Sequence, residues 1–359
     1  MRGNHGMRWL MRLIVLLCVA ALPQFAQFAR AAADTTGGAA EQAKRQITQP
    51  GNNAPFWRDV RKGENPYQTT QVRGIETNVL VQSEGQSWRL LRPMVYSVGG
   101  LILVAALLGL AGYYFWRGSI KLHEQPTGRL IRRFSNLDRL AHWTVAISFV
   151  TLGITGLIIT FGKYLLLPVL GYTLFSWLAI IAKNLHNFIA PVFLFALPLL
   201  ILVFIRDNLP KRYDMAWLKT FGGLFSKSGK EVPSGRFNAG EKALFWAMVC
   251  SLSVVLCLSG VVMLFPNFEQ GRFTMQSANI VHMVCALLAI AMACFHIYLG
   301  TIGMKGAYKA MRTGYVDEAW AKEHHEIWYE EVQAGTAHQQ FADNVPPAIK
   351  LQVEQSIKA

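Results

Sequence analysis

Four histidines lie inside long uncharged runs: His142, His186, His282 and His296. An imidazole in hydrocarbon is costly and ordinarily faces a partner, a cavity or a metal. One such ring alone reads as a hydrogen-bonded packing residue, but these four match in depth. His282 and His296 share one run, 14 residues apart. At about 100° per residue they differ by about 40° in direction and by about 21 Å along a helix axis. They therefore share a face, one near each membrane surface. His142 follows Arg139 at the start of its run, level with His296, and His186 follows Lys183, level with His282.

Two bis-histidine pairs result, an outer one of His186 and His282 and an inner one of His142 and His296. Imidazoles from facing helices are the axial donors of non-covalent haem b, whose macrocycle fills an apolar gap. Two b haems with these four iron ligands are the expectation. Zinc would gather four ligands in one cluster rather than split them across a membrane. A proton relay also uses membrane histidines, but it gives no reason for the matched depths.

The remaining reactive side chains form no such constellation. Cys18, Cys250, Cys257, Cys285 and Cys294 contain no CxxC spacing, which speaks against an iron–sulfur cluster, a zinc knuckle or covalent haem. They read as small buried side chains. His324 and His325 stand among Lys322, Glu323 and Glu326 and read as surface residues, with proton uptake as the alternative.

The elements that position the histidines follow from bulk chemistry. Of 359 residues, 52% are hydrophobic and 16% charged, too apolar for an ordinary soluble domain. Five membrane spans are expected, at 94–116, 141–161, 177–205, 243–265 and 278–304. Each can cross a hydrocarbon core about 30 Å thick at about 1.5 Å per residue. The expected fold is an all-α integral membrane protein, a bundle of four haem-binding helices plus one additional N-terminal helix. Gly100, Ala105, Gly109 and Gly112 in the first span suggest a close helix approach.

The net charge is +14, yet the basic residues flank apolar runs, so no nucleic-acid partner is expected. Arg117, Lys121, Arg129, Arg132, Arg133 and Arg139 follow the first span, and Arg206, Lys211, Arg212, Lys219, Lys227, Lys230 and Arg236 follow the third. Lys305, Lys309 and Arg312 follow the fifth, whereas the other two loops hold only Lys163 and Arg272. The positive-inside rule makes the basic loops cytoplasmic and the mature N-terminus periplasmic, in a bacterial inner membrane.

The resulting organisation is a signal peptide (1–33), a periplasmic polar segment (34–93) and the additional span (94–116). A cytoplasmic loop (117–140), a four-helix dihaem cytochrome b domain (141–304) and a cytoplasmic C-terminal tail (305–359) follow. Arg2, Arg8 and Arg12, the apolar 13–22 and Ala31-Ala32-Ala33 carry the signal reading.

Residues from about 130 to 332 resemble the gamma, or cytochrome b, subunit of membrane-bound respiratory formate dehydrogenase. The resemblance rests on Asp138-Arg139-Leu140-Ala141-His142-Trp143-Thr144, Leu185-His186, and Phe237-Asn238-Ala239-Gly240-Glu241-Lys242 running to Phe245-Trp246. It continues in His282 and His296 at their spacing, and in Trp320-Ala321-Lys322 through His324-His325 to Trp328-Tyr329.

It implies two b haems on the pairs derived above and a quinone site at Asn238, Gly240 and His296. By local chemistry alone, Asn238-Ala239-Gly240 reads as a turn and helix N-cap before Glu241. The implied partners are an Fe–S beta subunit and a molybdenum- or tungsten-containing alpha subunit, besides membrane lipid and quinone. This chain would be the electron-transfer subunit of a quinone-reducing complex and would not oxidise formate alone.

The family's best-known form begins at the span containing His142, so the signal, the polar segment and the first span are additions. Two rival readings are a cytochrome b serving a hydrogenase or other periplasmic oxidoreductase, and a haem-free membrane anchor or transporter.

Overall fold

A computed structural model of the protein describes residues 83–223, 232–266, 268, 270–343 and 345–358. The expected signal peptide, most of the polar segment, Lys227 and Lys230 lie outside the described residues. Among the described residues, five helices are long and apolar enough to cross a membrane: Trp88–Arg117, Asn136–Leu165, Leu167–Phe204, Ala239–Leu264 and Arg272–Gly303. The chain has an all-α membrane fold, with one short two-stranded ribbon.

The first helix, α1 (Ser83–Arg117), starts before the apolar run at 94 and carries Pro93 inside it. It packs on the last membrane helix through Tyr96, Val104, Leu287 and Met283. A Cβ at Gly99 would stand 2.2 Å from Leu287 Cδ1, so glycine admits the close approach there. Gly109 and Gly112 have open space beside them, and Ala105 is exposed. Of the small residues expected to pack closely, Gly100 is buried, and only Ala105, Gly109 and Gly112 are turned away from the close-packing face.

Strand β1 (Leu130–Arg132) precedes α2 (Asn136–Leu165). The helix starts where Ser135 and Asp138 close a reciprocal capping box, satisfying two backbone donors that the first turn leaves without partners. Helix α3 (Leu167–Phe204) is interrupted at Gly171, whose φ of 72° breaks the helical path, so the span proper begins after it. The short α4 (Asp214–Thr220) lies in the next loop.

Asn238 caps α5 (Ala239–Leu244), which continues through a π-helical stretch, Phe245–Leu252, into α6 (Ser253–Leu264). Helix α7 (Arg272–Tyr298) ends in a second π turn, Leu299–Gly303. Helices α2 and α3 pack as one hairpin and α6 and α7 as another, with backbone approach between the hairpins mainly at α3 against α6 and the π stretch.

The C-terminal segment is folded. Helix α8 (Ala307–Thr313), strand β2 (Tyr315–Asp317), α9 (Glu318–His324), α10 (Glu326–Gln333) and α11 (Pro347–Lys358) build a cap. Strand β2 pairs antiparallel with β1, Ile131 opposite Val316. Gly314 ends α8 at a φ of 93°, a conformation glycine adopts without steric cost. Its carbonyl accepts from the amides of Arg133 at 2.9 Å and Phe134 at 3.1 Å. Trp320, Trp328, Ile131 and Val353 are fully buried in one core with Phe134, Phe204 and Phe245, which seats the cap on the ends of α2, α3 and α5.

Candidate functional site

Helix α7 supplies one ring to each histidine pair. The ring centres of His142 and His296 are 6.2 Å apart, and those of His186 and His282 are 6.3 Å apart. The structure therefore brings together both pairs expected from the sequence. An imidazole nitrogen binds a transition metal at about 2 Å, and with about 1 Å from nitrogen to ring centre, two rings on opposite sides of one metal stand about 6 Å apart. Both separations fit one axially ligated metal per pair. Because each pair joins the α2–α3 hairpin to α7, a planar group between its rings would lie between the hairpins.

The two pairs differ in surroundings. At the distal pair, Thr155 Oγ1 lies 2.9 Å from His186 Nδ1 and Ser259 Oγ lies 3.0 Å from His282 Nδ1. At the pair nearer the cap, His142 Nδ1 is buried and has no hydrogen-bond partner among the described residues. Its ring meets Trp143 edge to face, with centroids 5.3 Å apart. The Trp143 indole in turn donates to the Met311 carbonyl at 3.3 Å, so the cap holds His142 through its neighbour.

Asn238 is a helix cap. Its Oδ1 accepts from the Glu241 amide at 2.9 Å, and Glu241 Oε2 accepts from the Asn238 amide at 2.8 Å. The side-chain amide Nδ2 is its remaining donor. A Cβ at Gly240 would stand 2.5 Å from Trp217 Cη2, so glycine lets this indole lie over the turn. Close by, Lys242 donates to both oxygens of Asp214, at 3.0 and 2.8 Å, in a buried pair.

His324 and His325 are not surface residues, contrary to the expectation from their charged neighbours. Both are buried, and His325 packs between Trp320 and Trp328. Its Nδ1–H donates to the Gly235 carbonyl at 2.8 Å, while Ser234 Oγ donates to the His324 carbonyl at 3.0 Å. The cap thereby fastens the segment leading into Asn238. Burial first, and then the Arg133 charge, hold His325 well below the ordinary histidine range, so the ring is neutral at pH 7.

Sequence reading also missed an arginine pair beneath the cap. Arg133 donates to the Arg236 carbonyl at 2.7 Å, and Arg236 donates to the Arg133 carbonyl at 2.7 Å, to Asp138 at 2.6 Å and to Asp207. Burial pushes Arg133 down to about 10, opposed by nearby Glu241. In sequence these arginines stand only as loop charges; Asp138 and Glu241 three residues after a capping residue were the available signal.

Five apolar helices with two facing imidazole pairs define the class: a membrane cytochrome b. The chain belongs to the prokaryotic cytochrome b561 family, whose pattern it matches over residues 133–314. This is a family of haem b proteins. The chain is 29% identical over 227 residues to the cytochrome b556(Fdn) subunit of nitrate-inducible formate dehydrogenase of Escherichia coli, covering 60% of this chain and 98% of that one. It is 31% identical over 215 residues to the cytochrome b556(fdo) subunit of formate dehydrogenase of the same organism, covering 57% and 95%. A formate dehydrogenase cytochrome b556 subunit of Haemophilus influenzae is 29% identical over 204 residues, covering 54% and 79%.

Proposed function

We propose that this chain is the dihaem cytochrome b subunit of a respiratory formate dehydrogenase, anchoring the complex in a bacterial inner membrane. The observation that carries the reading is the pair of histidine couples at 6.2 and 6.3 Å, with donors suited to axial haem ligation. The similarity to formate dehydrogenase subunits supports the choice of partner, an Fe–S beta subunit with a molybdenum- or tungsten-containing alpha subunit. Haem b held at each pair would supply a one-electron carrier, and the two pairs would then link a periplasmic Fe–S subunit to quinone near the cytoplasmic face.

The chain's own residues set that route. His186 and His282 hold the outer position, and His142 and His296 the inner one. The apolar helices that carry these rings would keep water from both pairs. At the start of α5, the Asn238 Nδ2 amide would donate to a quinone oxygen, and Gly240 admits the Trp217 indole over the turn. The basic loops support a cytoplasmic cap and a periplasmic mature N-terminus.

The test is a reduced-minus-oxidised optical spectrum with a pyridine haemochrome assay on the purified full chain and on His282→Ala and His296→Ala. Two b haems per chain are expected, each substitution disturbing one of them. A correctly inserted wild-type protein without haem would overturn the proposal and leave a haem-free anchor or transporter.

A further inference from the structure

The sequence Leu-x-x-Thr/Ser-Gly occurs at Leu152–Gly156 on α2 and again at Leu256–Gly260 on α6. Each copy faces a histidine of the distal pair across its own hairpin. Thr155 Oγ1–H donates down its helix to the Thr151 carbonyl at 2.8 Å, and Ser259 Oγ–H donates to the Val255 carbonyl at 2.7 Å. With its hydrogen so engaged, each hydroxyl meets the imidazole as an acceptor, at 2.9 Å from His186 Nδ1 and 3.0 Å from His282 Nδ1. The Leu152 and Leu256 carbonyls share these hydroxyl hydrogens, at 3.1 and 3.2 Å. A hydroxyl with its one hydrogen donated elsewhere can only accept from the ring, so Nδ1 carries the proton in both rings and Nε2 would keep its lone pair for iron. A Cβ at Gly156 or Gly260 would stand 3.4 Å from the Cε1 of its histidine, so glycine keeps the ring edge against the helix backbone.

We infer that Thr155 and Ser259 are positioning residues that fix the distal histidines' tautomer and raise their donor strength, lowering the reduction potential of the group those histidines ligate. The inference rests on haem ligation by His186 and His282. An imidazole whose N–H is held by an acceptor is the more basic ligand and favours ferric over ferrous iron. The pair near the cap has no matching brace at His142 Nδ1. This difference places the distal site lower in potential, so a one-electron transfer from the distal to the cap-side site runs downhill.

The experiment is redox potentiometry and low-temperature EPR of the haem-loaded full chain carrying Thr155→Val, Ser259→Ala or both, with Thr155→Ser and Ser259→Thr as rescues. The haem lost in His282→Ala should rise in potential, by about 59 mV for each tenfold change in the ferric-to-ferrous binding ratio, and more in the double variant. Its g values should shift, the rescues should match wild type, and the other haem should not move. Thr155→Cys, a similar-sized weaker acceptor, should give a smaller rise and covers the case of haem loss in Thr155→Val. Two haems with unmoved potentials and g values would overturn the inference while sparing the functional reading. A wild type without haem, or a shift confined to the haem that His296→Ala removes, would instead overturn the pairing beneath it.

Discussion

The cap-side pair and the distal pair place the same two rings at nearly the same separation, but they are held in different ways. At the distal pair, positioning is local: a hydroxyl from the neighbouring helix meets Nδ1 of each ring. At the cap-side pair it is remote: Trp143 reaches Met311, and the folded C-terminal segment holds the loops around the helix ends. A site fixed by adjacent helices needs nothing outside the membrane. If the cap-side pair serves a quinone, as proposed, that site depends on loops, and loops need something to hold them. The cap does that here through His325 on Gly235 and through the Arg133–Arg236 exchange.

The largest way to break this contrast is Arg236→Ala. Removing one partner of a buried ionic network costs about 3–5 kcal/mol, because Asp138 loses its cation, keeping only the Ser135 donors, and the Arg133 carbonyl loses its donor. Thermal unfolding of the cap, followed by tryptophan fluorescence, should shift down, with the cap-side haem spectrum perturbed and the distal one retained. Equal perturbation of both haems would show that the two ends are not held independently.

Gly99→Val acts on both ends together, since Leu287 lies on α7 between its two histidines. Overpacking here should cost about 1–3 kcal/mol, loosen α1 from α7 and broaden both haem spectra. Faster proteolysis at α1 with unchanged spectra would confine α1 to anchoring.

Lowering pH should loosen the cap alone. His325 in the folded cap is depressed below the unfolded value of about 6.5. Folding therefore excludes a proton that the unfolded cap binds at lower pH. Stability is full above about pH 6.5 and falls as pH drops below it, by up to about 1.4 kcal/mol per pH unit. Hydrogen-exchange protection factors across 318–333, which remove the pH dependence of intrinsic exchange, should fall between pH 7 and 5, and His325→Phe should remove most of that dependence.

The smallest stability effect is the most discriminating. Asn238→Ser keeps an N-cap oxygen and deletes the Nδ2 donor, so the melting temperature should stay within a degree or two while the KM for quinone rises. Asn238→Ala should also lose about 1 kcal/mol of cap stability. A Ser variant with unchanged quinone kinetics would leave Asn238 as a helix cap alone.

The spans and the histidine pairs were legible because hydropathy and helical periodicity are local properties of the chain. Fourteen residues on one helix determine direction and depth without knowledge of any neighbour. The buried tail was not legible, because Lys322, Glu323 and Glu326 surround His324 and His325 with charge, while Ser234 and Gly235, 90 residues upstream, and two tryptophans pack against them. The role of Gly99 depended on Leu287, which sequence does not place. Thr155 and Ser259 were overlooked as ordinary helix hydroxyls, although the repeat of Leu-x-x-Thr/Ser-Gly was visible.

The most direct test of the account is to sort four single variants by haem spectrum and potential: His142→Ala, His186→Ala, His282→Ala and His296→Ala. His142→Ala and His296→Ala should lose the same haem, and His186→Ala and His282→Ala the other. Any other sorting, such as His142→Ala matching His282→Ala, would contradict the paired arrangement on which the electron route is built.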